Sequence, residues 1–263
     1  MYAIEYQRAK SVADAVAALA KTGGKALAGG QSLVGAMKLR LANPGTVVDL
    51  SGIAELKGIK KDGEAIVIGA LTTHADVASS SAVKQAIPAL AALAEGIGDR
   101  QVRNLGTIGG SLANNDPAAD YPAAVLALNA TVQTNKRKIA ADDFFKGLYE
   151  TALGADEIIT AVSFPVPKKA AYIKFPQPAS RFALVGVFVA QTGGGVRVAV
   201  TGAGSHVHRA KAIEDALAKG FTADAAKAVK IPATNLNNDL HGSAEYRAHL
   251  VSVLAGRAVV AMM

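Results

Sequence analysis

Two stretches of this sequence carry residue types that could do chemistry, and both are built on glycine. The first, Ala28-Gly29-Gly30-Gln31-Ser32-Leu33, follows a short apolar run and precedes an apolar-periodic one. Strand, tight turn and helix is the order this implies. Glycines at such a turn can take positive φ and let a ligand approach the main chain. The free N–H groups of the following helix favour an anion. The stretch is not a phosphate loop, because no Gly-Lys-Ser/Thr closes it, and it is not G-x-G-x-x-G. A plain strand-to-helix turn capped by Ser32 fits it equally well.

The second stretch, "NLGTIGGSLANNDPAADYP", covers residues 104–122. It reads as a long polar loop, and such loops inside a compact domain tend to be functional. Thr107, Ile108, Gly109, Gly110 and Ser111 could form a nest of amides for an anion. Asn114, Asp116 and Asp120 add polar groups suited to a polyol. Asp116 and Asp120, four apart across Pro117, could be a carboxylate pair or could cap a helix near residues 121–128. The two stretches lie about seventy-five residues apart. A dinucleotide with a ribityl-pyrophosphate spine would need two such cradles, one from each of two subdomains.

Other constellations are thin. His206 and His208 are spaced i, i+2, but no neighbouring ligand completes a metal site, and a loop before a helix is the expected address. His74 and His241 stand alone. No Ser–His–Asp arrangement stands out, and no catalytic residue or metal ligand is assigned to this chain. There are no cysteines among the 263 residues, so the chain itself can hold no thiolate nucleophile and no Cys-ligated iron–sulfur cluster. The net charge of +7 fits an anionic cofactor. Nucleic acid is disfavoured: the only dense basic run, Lys136-Arg137-Lys138, has no aromatic platform and reads as a solvated hairpin edge. No signal peptide and no membrane-length apolar window are visible, so a cytoplasmic protein is expected.

The elements that must position the two stretches come in three groups. Ser11 should cap a helix over 12–22 that Gly23-Gly24 stops. A strand over 25–28, a helix over 33–41 and a strand over 46–49 complete a small β-α-β unit in residues 1–55. In 56–167, strands over 58–60 and 65–68 flank a turn at Asp62-Gly63, and a helix starts near Thr73 or Asp76. A second helix covers 86–96, strands over 130–134 and 138–140 pair, and a further strand ends at Pro165 and Pro167. Residues 168–263 give three antiparallel strands over 171–175, 183–191 and 196–201, then helices over 210–219 and 245–262.

Taken together, "AGGQSLVGAMKLR" and "TIGGSLANNDPAADYPAA" resemble the two flavin-binding signatures of the FAD (medium) subunit of molybdenum hydroxylases. That is the family of carbon monoxide dehydrogenase and xanthine dehydrogenase. "GDRQVRN", "DEIITAVSFPVP" and "PASRFALVGV" fit the same pattern in the same order, so the likeness covers essentially the whole chain. The resemblance implies an α+β protein: the FAD-binding fold of p-cresol methylhydroxylase, made of two α/β subdomains, plus a C-terminal α+β domain with a three-stranded antiparallel sheet. It implies that Ala28 to Ser32 wrap the FAD pyrophosphate and that Thr107 to Ser111 form the second phosphate and ribityl cradle. Asn114 and Asp120 match polar positions near the ribityl chain. Ile159 matches an apolar position packed by the flavin ring, and Phe182 matches an aromatic near the isoalloxazine. Leu184 stands roughly where the xanthine enzymes carry a Lys that contacts the flavin, a departure that bears on an NAD-reducing role. The implied function is electron transfer, from [2Fe-2S] clusters on a small partner subunit, through FAD, to an external acceptor. A large partner would hold the molybdopterin, in a dimer of heterotrimers. A stand-alone flavin oxidoreductase of the same fold is the alternative, and a colourless anion-binding scaffold is a third reading.

Overall fold

Residues 1–263 are all described by a computed structural model of the chain. The first of its three main sheets is small and parallel. It is made of β1 (Glu5–Arg8), β2 (Lys25–Leu27) and β3 (Thr46–Asp49), with β3 in the middle and parallel to both neighbours. Helix α1 (Val12–Thr22) crosses over between β1 and β2. Its Ser11 cap accepts the Asp14 N–H, and Gly23 closes it in the left-handed region at φ 62°. Helix α2 (Leu33–Lys38) crosses from β2 to β3. It stops three residues before the expected end, because Arg40 turns left-handed at φ 59°. All four residues of β3 are buried, as a central strand with helix cover requires.

The second sheet is antiparallel and follows the order β4-β5-β10-β6-β7. Its strands are β4 (Ile59–Asp62), β5 (Ala65–Gly69), β6 (Thr131–Thr134), β7 (Lys138–Ala140) and β10 (Ile159–Pro165). The turn between β4 and β5 falls at Gly63-Glu64, one residue beyond the expected Asp62-Gly63. Helices cover one face: α3 (His74–Ser79), α4 (Ser81–Ala86), α5 (Pro88–Glu95), α6 (Arg100–Leu105), α7 (Ile108–Asn114) and α8 (Tyr121–Ala127). The expected 86–96 helix is α5, two residues shorter at its start, and a separate helix, α4, precedes it. Pro88 occupies the first turn of α5, and Ile87 before it is pushed out of helical ψ, to 69°. Between β7 and β10 lie α9 (Ala141–Phe144) and a small hairpin of β8 (Phe145–Gly147) and β9 (Glu150–Thr151). Lys136 and Arg137 sit in the β6–β7 turn, where they pair with Asp156 at 2.6 Å and with Glu157 at 3.0 Å.

The stretch over 104–122 is not a long loop. Most of it is helical, in α6, α7 and the start of α8. Thr107 caps α7 by accepting the Gly110 N–H at 3.1 Å, and Asn115 ends it left-handed at φ 44°. The glycines lowered the apparent helix propensity of the sequence, but cap and close packing override that.

The third sheet has four strands rather than three: β11 (Lys169–Pro176), β12 (Ala183–Thr192), β13 (Gly195–Thr201) and β14 (His208–Arg209), antiparallel and in that order. The expected loop address of His208 is therefore a short edge strand. Helices α10 (Lys211–Lys219), α11 (Ala223–Lys227) and α12 (Ala244–Ala261) cover one face. The apolar residues of β12 that point the other way, Phe188 and Ala190, join the core of the second sheet. The third sheet is thus shared between two cores.

Candidate functional site

The two glycine stretches meet. Gly29 lies directly on the main chain of Leu105 and Gly106, so closely that any Cβ would overlap the Leu105 carbonyl oxygen. Across the same junction a Cβ on Gly110 would stand 3.6 Å from the Ala28 side chain. Gly106 in turn admits the His74 ring, whose Nε2 would be 2.6 Å from a Cβ there. Gly109 lies against Ala70, whose Cβ and carbonyl would stand 2.6 and 2.8 Å from an added methyl. Gly29 is needed because backbone meets backbone where the two stretches join, and Gly106 and Gly109 because the His74 ring and Ala70 leave no room for a Cβ.

The hydrogen-bond state of the two stretches is opposite. None of the amides from Ala28 to Leu33 finds an acceptor within the chain. Gly30 is left-handed at φ 72°, and Gln31 folds its side chain back onto the Gly29 carbonyl at 3.2 Å. Ser32 sits at the N-cap of α2, yet its hydroxyl makes no capping bond. In the second stretch the amides are already used. Ile108 donates to the Thr72 carbonyl, Gly109 to Ala70, Gly110 to the Thr107 hydroxyl and Ser111 to the Thr107 carbonyl, at 2.9–3.1 Å. Only the Thr107 amide lacks a protein acceptor. The first stretch therefore offers a row of unpaired donors that suits an anion. The second offers side chains, those of Ser111 and Asn114, both half-buried.

Helix α7 leads from this junction to a cleft. Its seven residues advance about 10 Å. Just past its end, Asp116, Pro117 and Ala118 form one wall of a cleft of about 450 Å³. Phe182, Leu184, Asp239 and Arg247 line other parts of it. Phe182 is 48% exposed there, an unusual state for a phenylalanine beside a cavity. Leu184 is buried, and its carbonyl accepts from the Arg247 guanidinium at 2.8 Å. Ile159 is buried in β10, within the core of the second sheet.

Neither Asp116 nor Asp120 caps α8. Asp116 accepts the Ala118 N–H at 2.9 Å, a local turn, and the Tyr149 hydroxyl at 3.2 Å. Asp120 occupies the cap position without capping. Its buried carboxylate instead accepts from the Tyr172 hydroxyl at 2.5 Å and from the Lys174 ammonium at 3.0 Å. Burial pushes its pKa up, while Lys174 and Tyr172 act to lower it. The two carboxylates do not form a catalytic pair.

Behind the glycine junction three buried polar atoms have no partner: His74 Nδ1, Tyr121 OH and Asn115 Oδ1. The His74 and Tyr121 rings lie 5.3 Å apart. Burial, helped by the Arg103 charge, pushes the His74 pKa down to about 4. Sequence reasoning gave His74 no role; its adjacency to Gly106 arises only in three dimensions. It missed Lys174 and Tyr172 for the same reason, and it did not foresee the partners of Asn115. Asn115 donates to the carbonyls of Gly147 and Glu150 and so ties the β8–β9 hairpin to the end of α7. His206 and His208 do not join a third ligand, since no cluster of three or more His, Cys, Asp or Glu residues comes together.

Comparison with known proteins places this geometry in context. Residues 2–167 match the family described as the FAD binding domain in molybdopterin dehydrogenase. The nicotine 6-hydroxylase medium subunit of Paenarthrobacter nicotinovorans is 38% identical over 98% of this chain and 96% of its own. The carbon monoxide dehydrogenase medium chain of Hydrogenophaga pseudoflava is 37% identical over 97% of this chain and 95% of its own. A solved structure of that carbon monoxide dehydrogenase, lacking the Mo-pyranopterin moiety, superposes with a TM-score of 0.90 over 99% of this chain and 97% of its own. Quinoline 2-oxidoreductase from Pseudomonas putida 86, 28% identical, gives 0.89 over 99% and 97%.

Proposed function

This chain belongs to the family of FAD-binding domains in molybdopterin dehydrogenases, as an FAD-binding medium subunit of an oxidoreductase complex, and from that premise we propose how it works. It holds FAD between its two glycine stretches and carries electrons from [2Fe-2S] clusters on a small partner subunit to an external acceptor. A large partner holds the molybdopterin, and the assembly is a dimer of heterotrimers in the cytoplasm. No helix is long and apolar enough to cross a membrane. Boundaries near residues 55 and 167 separate the two FAD-binding subdomains and the C-terminal domain.

The observation that carries this reading is the run of unpaired amides from Ala28 to Leu33, pressed against the second stretch through Gly29. A pyrophosphate satisfies such donors, and a neutral ligand would not need them. The Ser32 hydroxyl, free of capping duty, adds a donor. The hydroxyls of Thr107 and Ser111 and the Asn114 amide face a polyol rather than a second phosphate, because the amides of residues 108–111 are already bonded. Asp116 and Phe182 line the cleft that takes the flavin ring, and Ile159 backs the site from the core. Bound FAD supplies the redox chemistry; this chain supplies orientation, electrostatics and exclusion of water. No side chain is required to act as a general base, which suits a site whose two carboxylates are tied to Tyr149, Tyr172 and Lys174.

The test is purification of the native complex with flavin and metal analysis. The expected result is a yellow protein that releases FAD on denaturation and co-purifies with one larger and one smaller chain. Flavin without partner chains would favour a stand-alone oxidoreductase, and a colourless protein would overturn the cofactor assignment. Gly30→Val, which forces a β-branched residue to φ 72° at the row of amides, should lower FAD retention while the C-terminal sheet stays folded.

A further inference from the structure

Between the helical layer and the third sheet lies a charge cluster built on the buried Asp120 and the half-buried Tyr172 and Lys174. Lys174 on β11 reaches acceptors from three segments. They are the Asp120 carboxylate at 3.0 Å, the Gly96 carbonyl at 2.8 Å and the Arg181 carbonyl at 3.0 Å. An ammonium has three donors, so all are spent. Tyr172, two residues earlier and so on the same face of the strand, gives its hydroxyl to the same carboxylate. Gly186 stands opposite Lys174 on β12, and any Cβ there would overlap the Tyr172 hydroxyl. A glycine in the middle of a buried ten-residue strand is thus explained by the room the cluster needs.

One arm of this cluster ends at the peptide that precedes Phe182. Residues 177–182 form a closed turn. The Gln177 N–H donates to the Phe182 carbonyl and the Arg181 N–H to the Gln177 carbonyl, both at 2.8 Å. The Gln177 side-chain oxygen accepts from the amides of Ala179 and Ser180. Arg181 is left-handed at φ 60°, a conformation a non-glycine residue keeps only when its surroundings hold it. The hold on its carbonyl is Lys174; its guanidinium reaches the Gly98 carbonyl only at 3.4 Å.

We propose that Lys174 is a positioning residue for the flavin site: anchored on Asp120, it grips the Arg181 carbonyl and so fixes the turn that presents Phe182 to the cleft. This rests on the reading of that cleft as the place of the flavin ring. Asp120 then acts through Lys174 and not as a direct ligand of the ribityl chain.

Two readouts on the FAD-loaded protein test it. Trypsin cleavage after Arg181 reports the turn, and the visible circular dichroism of the bound flavin, which a ring packed on it perturbs, reports Phe182. Lys174→Met should raise cleavage after Arg181 by about tenfold and change the flavin dichroic band. Phe182→Leu should change the band in the same sense, and adding Lys174→Met to it should give no further change, since both act on one contact. Additive changes, or no change in Lys174→Met, would overturn the proposal. Lys174→Arg keeps the charge but brings a planar fork to three acceptors placed for an ammonium, so it should behave like Lys174→Met; full rescue would overturn the proposal. Should Lys174→Met fail to fold, Gly186→Ala displaces Tyr172 without removing a charge and should produce the same changes to a smaller degree; wild-type behaviour there would overturn it. If the unsubstituted protein carries no FAD, the cofactor reading fails instead, and cleavage after Arg181 in the flavin-free chain still decides whether Lys174 holds the turn.

Discussion

Gly29-Gly30 and Gly109-Gly110 look alike in the sequence and do different work in the structure. In the first pair the surrounding amides have no acceptor within the chain and form an array of free donors. In the second pair the amides are bonded within the protein, and Gly109 serves to let a helix start lie against Ala70. A glycine-rich motif is therefore not one device. One stretch keeps its amides free of acceptors within the chain, and the other spends its own on packing a helix start against residues 70–72.

The strongest way to break that contrast is Gly29→Ala. The new methyl overlaps the Leu105 carbonyl, and the two stretches must part. A loss of about 3 kcal/mol or more is expected, with FAD lost altogether, measured by urea denaturation and flavin content. A pH effect of similar size comes from His74, which packs against the second stretch. His74, beside Gly106, has its pKa pushed down to about 4 from an ordinary 6.5. The unfolded chain takes up that proton below pH 6.5 and the folded chain only near 4. The stability it contributes is full above pH 6.5 and is lost as pH falls toward 4, by up to about 3 kcal/mol. His74→Gln should flatten the stability profile in that window; a slope equal to the wild type would show that His74 does not stay neutral.

Gly109→Ala should cost about 2 kcal/mol by overpacking against Ala70, with FAD loss following the loss of fold. Thr107→Ala removes the cap of α7 and should cost about 1 kcal/mol, together with weaker FAD retention. Ser32→Ala gives the smallest effect on stability, less than about 0.5 kcal/mol, because its hydroxyl caps nothing. Its FAD dissociation should nonetheless be faster, measured by flavin release on dilution. If Ser32→Ala destabilised the chain as much as Thr107→Ala, the division between a ligand-facing and a structural stretch would fail.

Several features were legible because they are local. Ser11 and Gly23 bound α1 where a hydroxyl cap and a left-handed glycine must stand. The strands over 46–49, 131–134 and 138–140 follow from short β-rich runs between turn residues. Pro88 marked a helix start correctly, but the separate helix before it, Ser81–Ala86, carries no strong apolar period and went unread. The second glycine stretch read as loop because single-residue propensity counts its glycines against a helix, whereas Thr107 and the contact with Ala70 secure one.

The sequence by itself determined the family, the two glycine stretches and the absence of any thiolate chemistry on this chain, because these depend on residue type and order. Only the tertiary structure decided which amides stay free, since the carbonyls of Ala70 and Thr72 take those of Gly109 and Ile108, Thr107 takes the next two, and no acceptor reaches the first stretch. It alone sent Asp120 to Tyr172 and Lys174, more than fifty residues along the chain, rather than to its own helix. A side chain's partner is set by which surfaces the fold brings within about 3 Å, and at such sequence separations no local pattern encodes that.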